Sequence, residues 1–145
     1  MADPDAPSVP LCEQYAVADV DSHIIEPADL WTSRLDPKWG DLIPHVRFHE
    51  RRQEDYWYVG DQKLYGVGAF AQARWPEYPP SHPPSLDEAF LPALDAKARL
   101  TYNDSVGVHY QVLYPNILGF HSHVFLNHMP HELATQCVQA YNDWL

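Results

Sequence analysis

A chain of 145 residues with 46% apolar content has room and material for one packed domain of ordinary size, which excludes a wholly disordered protein. With 20 acidic against 9 basic residues the net charge is −11, so phosphate backbones and anionic lipid surfaces are repelled and neither nucleic acid nor membrane is an expected partner. Cys12 and Cys137 are too few and too far apart for a disulfide framework or a zinc finger. The first dozen residues carry no signal-peptide pattern and no apolar run reaches the length of a membrane span, so the cytoplasm is the expected location.

Residues 1–14 read as a loose leader. Small and β-branched residues over 15–20 predict a first strand, ending in Asp21 and His23. Side chains two apart in a strand share a face, so this Asp-x-His pair can hold one divalent cation between them. The plainer alternative is an Asp that turns the chain and a His that faces water, and the two residues alone favour it, because short motifs match by chance. Glu26 and Pro27 end the strand, and Pro27 suits the first position of a short helix through Leu30, Trp31 and Leu35.

Residues 45–50, 56–59 and 63–65 predict a hairpin excursion of three short strands, with Gly60-Asp61 as the second turn. Fourteen prolines against six glycines is an unusual balance, and Pro76, Pro79, Pro80, Pro83 and Pro84 gather within residues 75–85. Proline fixes φ and stops helices, so this segment is a stiff connector or a rim loop over a site. Ser85 and Glu88 have capping-box spacing, and a longer helix follows over residues 95–104, stopped by Gly107. Lys97 and Arg99 are expected on its solvated face. Residues 110–114 form a second core strand, residues 117–127 an aromatic and histidine-rich loop, and a final helix from Pro130 carries Leu133, Cys137, Tyr141 and Trp144 on one buried stripe. The β-α-β-α order argues for parallel strands.

Three blocks then carry a family resemblance. The opening Asp-Val-Asp-Ser-His-Ile-Ile-Glu-Pro-Ala-Asp-Leu-Trp over residues 19–31 resembles the first strand of the amidohydrolase-related proteins. It is most similar to the branch of aminocarboxymuconate-semialdehyde and resorcylate decarboxylases. The resemblance continues in Gly-Val-His-Tyr-Gln-Val-Leu-Tyr-Pro-Asn-Ile-Leu-Gly over 107–119 and in Ala-Tyr-Asn-Asp-Trp-Leu over 140–145, in the family's order.

The resemblance implies an α/β fold, the amino-terminal part of a metal-dependent (β/α)8 TIM barrel with a β-hairpin excursion, incomplete as given. A full barrel takes about 250 residues, and the family's remaining metal ligands fall beyond residue 145. By position the family's first-strand ligands are Asp21 and His23, and an oxygen donor in the first place makes manganese as plausible as zinc. The implied activity is hydrolysis of a C–N or C–O bond, or non-oxidative decarboxylation, of a small carboxylated substrate, aromatic ones included. The alternatives are a catalytically incomplete remnant and a small metal-binding or interaction module.

Around that pair, Phe120, His121 and His123 are candidate substrate contacts from a loop at the mouth of the site. His121, His123, His128 and His131 also suggest a second metal site, but no Cys or Glu completes that set and the loop reading is preferred. Glu26 either orients His23 from behind or caps the helix at Pro27. The chain alone is expected to be inactive, and to associate with itself or a partner through an exposed barrel edge.

Overall fold

A computed structural model describes residues 11–119 and 122–145 as a mixed α/β fold with two small sheets. A single helical turn, α1 (Leu11–Gln14), precedes β1 (Ala18–Ile24). The excursion strands β2 (His45–His49), β3 (Glu54–Val59) and β4 (Gln62–Gly66) form one antiparallel sheet in chain order. Helix α2 (Ala96–Val106) leads to β5 (Tyr110–Pro115), and α3 (Ser122–Asn127) and α4 (His131–Trp144) close the chain. Strands β1 and β5 pair in parallel, as the β-α-β order requires. No barrel closes among the described residues, and none of their helices is long and apolar enough to cross a membrane.

The first strand lies further along the chain than expected and contains Asp21 and His23. Its register against β5 aligns His23 with Tyr114, and an extra residue is inserted between Asp19 and Ser22. Asp19 stabilises that bulge by accepting the Asp21 backbone N–H at 3.0 Å and the Ser22 hydroxyl. Apolar periodicity cannot show such an insertion.

The helix expected at Pro27 does not form. Residues 28–34 make turns whose bonds alternate in span: Leu30 N–H to Pro27, Ser33 to Asp29, and Arg34 and Leu35 both to Trp31. Thr32 also bonds its hydroxyl back to the Asp29 carbonyl, competing with a regular ladder. Burial of the adjacent Leu30 and Trp31, both 0% exposed, holds this segment in place of helical bonding.

The main core lies between the three-stranded sheet, this turn and α4. Trp31 meets Trp57 of β3 edge to face at 5.4 Å and donates its indole N–H to the Cys137 carbonyl of α4 at 3.0 Å. Leu133, Cys137 and Tyr141 are the buried stripe of α4, with Trp144 packed at its margin.

The proline-rich segment is a strap on the excursion sheet. Its Pro84 carbonyl accepts the Asp55 N–H at 2.8 Å, and His82 Nε2 lies 2.9 Å from Glu54 Oε2. At Ser85 the hydroxyl meets the Glu88 carboxylate directly, at 3.5 Å, and only a single turn follows at Leu86–Glu88. Helix α2 begins where Asp95 accepts the Ala98 N–H at 2.7 Å and ends at Gly107, whose φ of 72° is the left-handed conformation that favours glycine.

Candidate active site

The carboxyl ends of β1 and β5 lie side by side, and a cavity of about 290 Å³ opens there. Asp21, His23, Tyr114, Pro115 and Gly119 line it. The His23 and Tyr114 rings stand 5.9 Å apart, tilted by 42°. Gly119 is needed for its size, since a Cβ there would lie 2.0 Å from the Pro115 carbonyl oxygen. A second cavity of about 390 Å³ shares Asp21 and His23 and extends towards Arg74, Phe90 and Tyr102. The two candidate ligand residues therefore border both spaces.

The strand ends are locked from behind. Glu26, 1% exposed, accepts the backbone N–H groups of Asn116 and Ile117 through one oxygen, each at 3.0 Å. Asn116 returns a bond from its side-chain amide to the Ile24 carbonyl at 3.0 Å. Glu26, two residues past β1, thus holds the turn after β5, and Asn116, the residue after β5, holds the end of β1. Glu26 reaches across the sheet here and does not cap a helix at Pro27. Burial pushes its carboxyl up to about 7, against the opposing pull of the backbone N–H groups it accepts. Burial also raises the hydroxyl pKa of Tyr65 and Tyr141, and the Glu26 charge adds to both.

Arg99 corrects the expectation of a solvated helix face. It is half-buried, and its Nη2 donates to the His23 carbonyl at 2.7 Å while its Nη1 donates to Gln111 Oε1 at 3.3 Å. Asn103, one turn further along α2, donates to the same Gln111 oxygen at 2.9 Å, and Gln111 donates to Ser22 at 2.9 Å. A polar network, in place of an apolar seam, joins α2 to the two strands. It fixes the backbone of β1 at His23 itself.

Of the remaining candidates, Phe120 and His121 lie outside the described residues. His123 sits in α3 rather than in a loop and is exposed, as are His128 and His131. Among the described residues no group of three or more His, Cys, Asp or Glu side chains could hold a metal ion. Sequence reasoning missed Tyr114, Arg74 and the Arg99–Gln111–Asn103 network as parts of the site. Tyr114 had a signal, since its place at the end of the second core strand sets it level with His23.

In fold the chain is similar to a solved amidohydrolase from Mycobacterium avium subsp. paratuberculosis K-10, with a TM-score of 0.63 at 22% identity. The match covers 90% of this chain and 38% of that one. Identity at this level shows a shared fold alone. No family model matches the chain, and no curated protein does.

Proposed function

We propose that this chain is the amino-terminal portion of a metal-dependent hydrolase or decarboxylase, to which it contributes Asp21 and His23 as metal ligands. The observation that carries the reading is that both side chains line one cavity at the carboxyl ends of two parallel strands. That is where α/β enzymes gather their chemistry. The likeness in fold to an amidohydrolase, of which the chain spans 38%, supports the same reading.

A carboxylate oxygen and an imidazole nitrogen suit zinc or manganese, so the donor chemistry fits. The number of donors does not complete a site, since a catalytic zinc takes about three protein ligands and an open position. A bound metal would polarise a substrate carbonyl or carboxylate. Within this chain, Arg99 holds the strand end at the His23 carbonyl, and Glu26 holds the neighbouring turn at a fixed distance from it. The His23 backbone and the turn beside it are thereby held before any metal binds.

The sheet face also bears on activity. Val20, Tyr110, Val112 and Tyr114 are 64%, 68%, 47% and 44% exposed, an apolar surface on two strands that further polypeptide would cover. Self-association or joining with another chain through this sheet belongs to the same proposal.

The test is calorimetric titration of the metal-free 145-residue chain with zinc and with manganese, alongside Asp21→Asn and His23→Gln. The expected result is weak binding that each substitution lowers by at least about tenfold. A panel of carboxylated aromatics and simple esters should show no turnover by the chain alone. Equal metal affinity in wild type and both variants would refute the ligand assignment, and clear turnover by a monomer would refute the partial-enzyme reading.

A further inference from the structure

We infer that Glu26 is a proton-controlled latch on the cavity wall: protonated, it holds the turn after β5 against the end of β1, and ionised, it lets that turn loosen. Pro115 and Gly119 line the cavity, and the backbone between them is what Glu26 grips. It does so through the Asn116 and Ile117 N–H groups, each 3.0 Å from one carboxyl oxygen. Asn116 completes the latch by donating its side-chain amide to the carbonyl of Ile24, the residue after His23.

The surroundings suit a carboxyl that keeps its proton. Glu26 is 1% exposed, and among the described residues no cation pairs with it. One oxygen already accepts two N–H groups, so a proton on the other needs an acceptor. Asn116 Oδ1 is a buried acceptor without a partner among the described residues, on the same residue whose N–H Glu26 holds. A bond from the carboxyl O–H to that oxygen holds the Asn116 side chain at both ends, and its tie to Ile24 with it. Ionisation removes that donor and leaves a carboxylate facing an amide oxygen, two acceptors with nothing between them. The Tyr141 hydroxyl is a buried donor also without a partner among the described residues, and no bond joins it to Glu26. The carboxylate recruits it only by moving away from Asn116. The two backbone N–H groups oppose this release, but burial outweighs them and raises the carboxyl to about 7, so the change falls near neutral pH.

The neighbouring ionisable groups leave the change to Glu26. Tyr65 of β4 and Tyr141 of α4 feel its charge, and burial keeps both hydroxyls protonated well above neutral pH. Asp21 and His23 of β1 line the cavity, and Arg99 is engaged with the His23 carbonyl. In the turn after Pro27, Arg34 donates to the Leu30 carbonyl, and on α4 His131, Glu132 and Asp143 are exposed.

This inference concerns the wall of the proposed site but needs neither metal nor turnover. The experiment is nuclear magnetic resonance of the metal-free full chain. It follows the Glu26 side-chain carbon through a pH titration and measures backbone order parameters on either side of its midpoint. Wild type, Glu26→Gln and Tyr141→Phe are compared. Glutamine keeps a donor for the Asn116 oxygen and cannot ionise, and since it retains His23 it also subtracts any change due to that histidine. The expected result is a Glu26 midpoint near 7 in wild type. Order parameters over residues 116–119 should fall from about 0.85 below it to under about 0.6 above it, while Trp57 of β3 stays rigid throughout. In Glu26→Gln the turn should stay rigid at both pH values, and Tyr141→Phe should move the midpoint up. A turn equally rigid in both states of wild type, or one that loosens equally in Glu26→Gln, would overturn the latch. Loosening that extends to Trp57 would overturn it too, by showing a general softening of the fold, and an unmoved midpoint in Tyr141→Phe would refute the recruitment of that hydroxyl. A failed metal titration beside a working latch would remove the metal reading and leave this inference standing.

Discussion

Trp31→Ala is expected to cost about 3–5 kcal/mol of stability, the largest loss from any single truncation in the core. The indole is 0% exposed and touches both the excursion sheet and α4. It packs edge to face on Trp57 of the excursion sheet, forms the floor of the 28–34 turn, and bonds to the α4 backbone at Cys137. Removing it leaves a cavity between the excursion sheet and α4. Trp31→Phe keeps much of the volume and loses the N–H bond, so it should cost distinctly less. Urea denaturation of both variants checks this, and a Trp31→Ala loss under about 1 kcal/mol would show that the core does not converge on Trp31.

Glu26 carries the second large effect, through pH. Its folded carboxyl is raised from 4.5 to about 7 by burial, so the folded chain holds that proton more tightly than the unfolded chain does. The contribution to stability is therefore full below the unfolded value and is lost as pH rises through about 7. Glu26→Gln keeps a carbonyl oxygen for the Asn116 and Ile117 N–H groups and cannot ionise. Relative to wild type it should gain about 3 kcal/mol between pH 4.5 and pH 8, on the scale of 1.36 kcal/mol per unit of pKa. Comparing the variant with wild type cancels opposing groups such as Asp19, whose carboxyl is lowered chiefly by the Ser22 hydroxyl and the Asp21 N–H. Denaturation curves at four or five pH values give the difference directly. A constant difference across that range would mean that Glu26 ionises in the fold as it does in the unfolded chain.

What the sequence made legible was local. The excursion strands follow from short alternating runs and the Gly60-Asp61 turn, and α2 is bracketed by a capping Asp95 and a left-handed Gly107. The α4 stripe follows from apolar residues four apart, and the parallel pairing of β1 with β5 from element order. What was not legible depends on partners distant in sequence. Arg99 reads as a surface residue until Gln111 and the His23 carbonyl are brought beside it. Glu26 reads as a partner of His23 or a helix cap because its actual partners, Asn116 and Ile117, lie 90 and 91 residues further along. The failed helix at Pro27 has the same origin, since Leu30 and Trp31 are held by burial against α4 and β3 and not by their own propensity.

The candidate site was legible in its first two residues and not in its surroundings. Asp21 and His23 are picked out by their place in the family resemblance and not by spacing alone, whereas Arg74, Phe90 and Tyr102 come together from three separate segments. Neither Phe90 nor Tyr102 has any sequence mark that sets it apart from a core aromatic.

The central claim is that Asp21 and His23 share a cation. The most direct measurement is an anomalous-scattering map of crystals of the chain grown with zinc. The expected result is a peak about 2.0–2.2 Å from both an Asp21 carboxylate oxygen and a His23 ring nitrogen. Zinc bound only elsewhere, or the two side chains directed to opposite faces of the strand with no metal between them, would contradict it.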